Sequence, residues 1–260
     1  MSSPLRGRAL ITGGSAGIGY AFATALAKRG CSLLLVARNA DRLERAAQEL
    51  RSTYGVDVQV QAADLGDRDQ ADRVAQRLLD EDDPIDILVN NAGSGLHDKL
   101  AEPDIDAHLT ALDLMVRAVL VLGTRAAHAM KQRGRGVIIN VGSVAGLLPL
   151  NHYSAIKAWV NTFSESMSLE LEGTGVRVVT LVPGWVRTEF HQRAKIGTSA
   201  IPDRMWLDAD DLIADALAAA DKGRSWEVPS TRYKAIAVLT RVMPRAIVRR
   251  ACRMIARTRT

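Results

Sequence analysis

The sequence predicts an α/β protein: one doubly wound domain whose parallel sheet of about seven strands is covered by helices on both faces. Three observations carry this reading. Short apolar runs alternate with longer amphipathic segments along most of the chain, and strands joined through crossover helices require a parallel sheet. The first apolar run ends in two glycines and opens directly into a helical pattern, which reads as strand, tight turn, helix. The 260 residues are 47% hydrophobic and 24% charged, with no Pro/Gly/Ser-rich linker dividing them, so one core of ordinary size is the simplest account.

The elements follow in order. RALIT (8–12) is the first strand, followed after the glycines by a helix over 20–29 with Phe22 and Leu26 on one face. CSLLLVA (31–37) is a buried strand, and 41–50 a helix with Leu43, Ala46, Ala47 and Leu50 on one side. VDVQVQAA (56–63) alternates as a strand does; 67–79 is helical, and IDILVNNAG (85–93) runs from strand into glycine. A long helical stretch (104–132), the strand RGVIINVGS (135–143), a helix over about 151–172 and the strand VRVVTLVPG (176–184) complete the pattern. In such sheets ligands bind beyond the carboxyl ends of the strands, where strand order reverses. The residues to inspect therefore lie at 12–19, 37–38, 63–65, 90–93, 142–143 and 183–188.

Residues 1–8 carry no signal-like apolar segment, and no later apolar run is expected to reach the roughly 18 residues of a membrane span, so a cytoplasmic location is expected. The two cysteines, Cys31 and Cys252, are far apart and lack ligand-like spacing, which argues against a metal site or disulfide. The formal charge of +5 is uneven. After Glu227 there is no acidic residue but nine Lys and Arg; removing those nine from the total of 34 leaves 25 against 29 Asp and Glu. The basic character belongs to a tail, which argues against a nucleic-acid-binding domain. We divide the chain into a catalytic domain over 1–230 and a basic amphipathic helical extension over 231–260. In the extension, Ile236, Leu239, Met243, Ile247, Ala251 and Met254 or Ile255 form an apolar face, the arginines at 241, 245, 249, 253 and 257 another, and Pro244 divides the helix in two. Such a helix either lies on an anionic membrane surface or docks over the substrate mouth or a partner subunit.

Two motifs carry chemistry. In TGGSAGIG (12–19), Gly13 permits a tight turn, Gly17 lets a pyrophosphate approach the backbone and Gly19 lets helix and strand pack closely, with the helix dipole facing the phosphates. In YSAIK, Tyr153 and Lys157 stand at i and i+4, so both side chains leave one face of a helix. A phenol is a poor base at neutral pH, and a nearby ammonium is expected to lower its pKa toward the working range.

Together these segments resemble the short-chain dehydrogenase/reductase family over about residues 7–190. TGGSAGIG is similar to its nucleotide-binding motif, NNAG (90–93) to its sheet-stabilising motif, Ser143 with YSAIK to its catalytic residues, and PGWVRT (183–188) to its nicotinamide-side loop. The resemblance implies a Rossmann-type fold and an enzyme moving a hydride between nicotinamide and a carbonyl or secondary alcohol. Tyr153 would be the general acid/base, Ser143 would bind the substrate carbonyl, and Lys157 would hold the nicotinamide ribose. Thr12, Gly13, Ser15, Gly17, Ile18, Gly19, Asn91, Ala92, Gly93, Pro183, Gly184, Val186 and Thr188 would line the cofactor, and Asp64 and Leu65 would bracket the adenine. Ala37 stands where NAD-specific members carry an acidic residue; Arg38 follows it and suits a 2′-phosphate, so NADP is expected over NAD. A solvated Arg38 pairing with Asp41 is the plainer alternative. The glycine loop itself has no basic residue.

Leu147, Leu148, Trp185, Phe190, Met205 and Trp206 make the substrate side apolar, so an apolar carbonyl or alcohol is the expected substrate; the family resemblance implies a homodimer or homotetramer. Two departures from the family pattern stand out. No asparagine occurs between Asn91 and Asn140, leaving Met115 where relatives bend the helix and hold a water, and the connection from Ser143 to Tyr153 is short. They keep open an alternative function, a non-catalytic NADP-binding sensor or scaffold.

Overall fold

The computed structural model describes residues 3–95, 100–101, 105–188 and 202–257. Seven strands form the main sheet: β1 (Arg8–Thr12), β2 (Ser32–Ala37), β3 (Val58–Ala62), β4 (Ile85–Asn90), β5 (Gly136–Val141), β6 (Val176–Leu181) and β9 (Trp226–Glu227), in the order β3-β2-β1-β4-β5-β6-β9. All neighbours are parallel, β1 pairing with β2 on one side and β4 on the other. The order therefore reverses between β1 and β4, where a crevice opens beyond the strand ends. Trp185–Val186 (β7) and Trp206–Leu207 (β8) form a separate two-stranded parallel ribbon.

The apolar content of each strand follows from its place. β5 is buried along its whole length and β2 nearly so, whereas β3, at the sheet edge, keeps the alternation VQVQA. Two-residue periodicity then splits the core. Leu33 and Leu35 join one cluster with Phe22, Leu26, Leu43 and Leu50; Leu34 and Val36 join another with Val74, Leu78, Leu122 and Met130.

The helices start where polar caps allow. Helix α1 (Gly17–Lys28) has no side-chain cap. Asn39 accepts from Arg42 N at 2.8 Å to begin α2 (Ala40–Tyr54), Asp67 accepts from Gln70 N to begin α3 (Arg68–Arg77), and Asn151 accepts from Ser154 N to begin α6 (His152–Glu170). Between β4 and β5 run α4 (Asp106–Leu112), a π-helical turn (Asp113–Arg117) and α5 (Ala118–Arg133). After β8, Asp208 caps α7 (Ala209–Asp221). Residues 208–227 carry α7 and β9, which the apolar pattern did not reveal: α7 is alanine-rich and β9 is only two residues long.

Two expectations are corrected. One helical stretch, Asp106–Arg133, is long and apolar enough to cross a membrane by length and composition. It packs on the sheet through Ala118, Leu122, Ala126 and Met130, and its other face leaves Leu109, Leu112 and Leu120 exposed. The tail does divide at Pro244, into α8 (Thr231–Val242) and α9 (Arg245–Arg257). Its buried face, however, is Tyr233, Ala237, Val248 and Cys252, while Leu239, Ile247 and Met254 are exposed. Docking of Tyr233 against Gly184 turns α8 away from the register that periodicity alone suggested.

A buried polar chain crosses the sheet. Asn90 Nδ2 donates to Asn140 Oδ1 at 2.9 Å, Asn140 Nδ2 donates to Ser164 Oγ at 2.9 Å, and that hydroxyl donates to Val160 O at 2.6 Å. Asn140→Ala would orphan the Asn90 amide and leave Ser164 without its donor. We expect a loss of about 2 kcal/mol in urea unfolding; a loss within experimental error would show that the chain contributes nothing.

Candidate active site and dinucleotide cleft

Thr12 ends β1 as a strut. Its hydroxyl donates to Val89 O at 3.2 Å and accepts from the main-chain N–H groups of Asn91 and Ala92 at 2.9 and 3.0 Å, while Asn91 Nδ2 donates to Thr12 O at 2.8 Å. These bonds lock the ends of β1 and β4 together at the switch point. Thr12 and Asn91 thus shape the crevice, and the buried threonine has spent its hydroxyl on the frame.

The glycine turn follows. Gly17 has φ +53°, and a Cβ there would lie 3.3 Å from Thr188 Cβ, so the loop after β6 faces the turn across a narrow gap. A Cβ on Gly19 would strike the carbonyl of Gly13, so only glycine lets helix and turn close up. Ile18 packs on the core, and Gly93 lies against the Met115 sulfur. Because α1 has no side-chain cap, its first amides are open to an anion.

At the far end, Arg38 is exposed beside Asp64, with Nη1 4.0 Å from Oδ2. The plainer reading had assigned it Asp41; the parallel register of β2 and β3 instead brings 38 and 64 together. Asp64 also accepts from Gly66 N, and the side chain of Leu65 is buried in the core. The loop acquires a cation that its own sequence lacks: Arg42, on the first turn of α2, donates from Nε to Ser15 O at 3.1 Å. That arginine was overlooked, although its place four residues after Arg38 was a signal. Uncapped amides, a glycine cradle and two arginines fit a dinucleotide carrying a further phosphate.

The chemical end is built on β5 and α6. Ser143 leaves β5 and caps a 3-10 turn, Val144–Leu147, accepting from Ala145 N at 3.1 Å. Asn161 fixes its main chain, donating from Nδ2 to Ser143 O at 3.1 Å and accepting from Ser143 N at 3.4 Å. This positioning residue was missed, because one asparagine in an apolar helix carries no signature. A Cβ on Gly146 would lie 2.6 Å from Lys157 C, so the turn sits hard on α6. Across the short connection Ser143 still lies near enough to Tyr153 to favour the phenolate.

Tyr153 and Lys157 do share one face of α6, with Nζ 5.8 Å from the ring centroid. Lys157 is buried and donates to Val141 O at 2.8 Å. Burial brings the lysine down to about 8. The expected lowering of the phenol is reversed. Part of the tyrosine is exposed, yet desolvation by the protein around it pushes the phenol up to about 12, against the smaller opposing pull of the nearby Ser143. Met115 is buried in the π turn with Ala111 and Ile156, beside Tyr153. The helix is therefore irregular there without an asparagine. Nearby on α4 and α6, His108 and His152 bring their Nδ1 atoms within 2.8 Å, one Nδ1 carrying the hydrogen and the other accepting it.

On the substrate side, Leu147, Trp185 and Met205 pack with Val144, Val182, Val228 and Tyr233. Tyr233 was not anticipated and holds this mouth together. Its hydroxyl donates to Met205 O at 2.7 Å and accepts from Trp185 N at 3.0 Å, and Gly184 lies against its ring. Pro183 O accepts from Val144 N at 2.9 Å and Val186 is buried. Phe190 lies outside the described residues.

A family profile described as short chain dehydrogenase matches residues 8–197. The chain belongs to that family. This dehydrogenase is thereby an oxidoreductase acting on CH–OH or C=O groups with a nicotinamide dinucleotide. An uncharacterized oxidoreductase of Staphylococcus epidermidis is 34% identical over 216 residues, 82% of this chain and 89% of that protein. Among solved structures, a short-chain dehydrogenase from Sphingobium yanoikuyae in complex with NADPH has a TM-score of 0.82 at 34% identity, covering 90% of this chain and 93% of that one. A bulky-bulky ketone specific alcohol dehydrogenase from Comamonas testosteroni has a TM-score of 0.77 at 31% identity, covering 92% and 95%.

The buried lysine makes a pH prediction for this dehydrogenase. Unfolded, the amine titrates near 10.5; folded, near 8. The cost of burying its charge is thus full below pH 8 and fades as pH rises toward 10.5. Between pH 7 and 9.5, wild type should gain about 2 kcal/mol relative to Lys157→Met in urea unfolding. A pH-independent difference would place the amine in solvent.

Proposed function

We propose that the enzyme is an NADP-dependent reductase of apolar ketones or aldehydes, also able to oxidise the matching secondary alcohols. The single observation that carries this is the seating of Tyr153 above a buried Lys157 on one face of α6, with Ser143 held at the carboxyl end of β5 by Asn161. NADPH, when bound, supplies the hydride. Tyr153 delivers the proton to the carbonyl oxygen while Ser143 orients that oxygen. A phenol pushed up to about 12 is fully protonated at neutral pH, and an alkoxide developing from a ketone is far more basic than a phenolate, so proton transfer runs downhill in reduction. Lys157, buried beside the ring, would hold the ribose side of the cofactor and offers positive charge to the phenolate that is left.

Arg38 and Arg42 support NADP over NAD, since guanidinium forks pair with a phosphate and Ala37 offers no carboxylate to repel it. The Sphingobium relative was solved with NADPH. The apolar lining of Leu147, Trp185 and Met205, and the bulky-bulky ketone preference named for the Comamonas relative, support an apolar substrate. We assign assembly to the exposed leucines of α4 and α5, together with Leu169, which would be covered by a second copy.

Loss of NADPH absorbance with a panel of bulky aldehydes and ketones tests the reading. Tyr153→Phe should lower kcat by about 10²- to 10⁴-fold while NADPH affinity stays within about threefold. Surviving turnover would contradict the mechanism, and NADPH binding without turnover by wild type would favour the sensor alternative. Arg38→Asp should move the NADP/NAD ratio of kcat/KM toward NAD by about a hundredfold; an unchanged ratio would remove Arg38 from cofactor choice.

A further inference from the structure

We propose that α8 and α9 form a seat for an anionic membrane surface, with the mouth of the active site held beside it. Nine cations and no acid follow Glu227. Some of that charge is used internally. Lys234 pairs with the buried Glu227 at 3.2 Å, and Arg241 lies over the Trp226 ring at 5.1 Å with Glu165 at 4.0 Å. Arg245, Arg249, Arg250 and Arg253 make no ion pair among the described residues and are exposed.

Their surroundings decide the kind of partner. Tyr233, Ala237, Val248 and Cys252 face the body of the protein. On the outward side Val238 is 59% exposed, Leu239 51%, Val242 70%, Ile247 50% and Met254 59%. These two consecutive helices thus interleave large apolar side chains with unpaired arginines. A nucleic acid would use the arginines and leave the apolar groups in water. An apolar protein partner would bury the arginines at a desolvation cost. A lipid interface takes both, apolar side chains entering the acyl boundary while guanidinium groups stay at anionic headgroups.

The seat is joined to the catalytic machinery at two places. Tyr233, on α8, clasps Trp185 and Met205 at the substrate mouth. Residues Ala246, Arg249, Cys252 and Arg253 of α9 border a cleft of about 490 Å³ with Pro149 and Leu150, on the loop leading into Tyr153. Attachment through this face would set the mouth next to the phase in which an apolar substrate dissolves.

The test uses the full chain and sucrose-gradient flotation with vesicles of phosphatidylcholine alone or with about one quarter phosphatidylserine. Wild type should float with the mixed vesicles and stay at the bottom with phosphatidylcholine. Two variants follow: the charge reversal Arg249→Glu, Arg250→Glu, Arg253→Glu, and the apolar removal Ile247→Asp, Met254→Asp. Each should reduce the floated fraction about tenfold, with thermal midpoint and NADPH binding unchanged. No flotation by wild type overturns the proposal, as does flotation equal on both vesicles. Two alternatives also overturn it in the absence of lipid binding: a dimer lost in the apolar variant, which makes the occupant a second copy, and salt-dependent binding to duplex DNA, which makes it a nucleic acid.

Discussion

The dehydrogenase depends on where one helix is held. Helix α6 carries both Tyr153 and Lys157, and its apolar packing on the sheet through Met167 is joined by buried polar bonds. Lys157 donates to Val141 O, Ser164 accepts from Asn140, and Asn161 grips the main chain of Ser143 from both sides. Bonds of this kind are directional, and a slip of one residue would leave several buried groups unsatisfied. Apolar packing alone would let the helix slide; these bonds fix its register against β5, and the serine, phenol and ammonium inherit that register.

The same frame explains how the fold accommodates the departures at Met115 and in the Ser143–Tyr153 connection. The helix before β5 turns irregular at Asp113–Arg117 with no asparagine, and Met115 fills the space beside Tyr153 with an unbranched apolar chain. The connection after Ser143 is short because a single 3-10 turn, pressed on α6 at Gly146, spans it. The serine stays in place because Asn161 holds its backbone, whatever the loop length.

Much of this was legible in the sequence. Alternating strands and helices, the glycine turn and the i, i+4 spacing of Tyr153 and Lys157 are local signals, and β1 to β6 fall where those signals lie, whereas the two-residue strands β7, β8 and β9 left none. Non-local facts were not legible. Arg42 meets the glycine loop only after β1 and β2 pair, Asn161 meets Ser143 only after α6 packs, and Tyr233 meets Trp185 across 48 residues. The tail was read with the right break at Pro244 and the wrong inward face, because periodicity gives the spacing of a stripe and leaves its direction to whatever the helix meets. The phenol of Tyr153 is raised where a lowering is expected for a related reason: the neighbouring charge is visible in the sequence, and the desolvation by the protein packed around the ring is not.

Tyr233 has a practical consequence for anyone redesigning this enzyme. The ribbon of β7 and β8 rests on a hydroxyl supplied from the tail, and Gly184 is small because the ring needs its space. Swapping the specificity loop from a relative without its matching tail would import side chains and discard their footing. Loop and tail form one exchangeable cassette, and libraries aimed at new ketones should recombine them together.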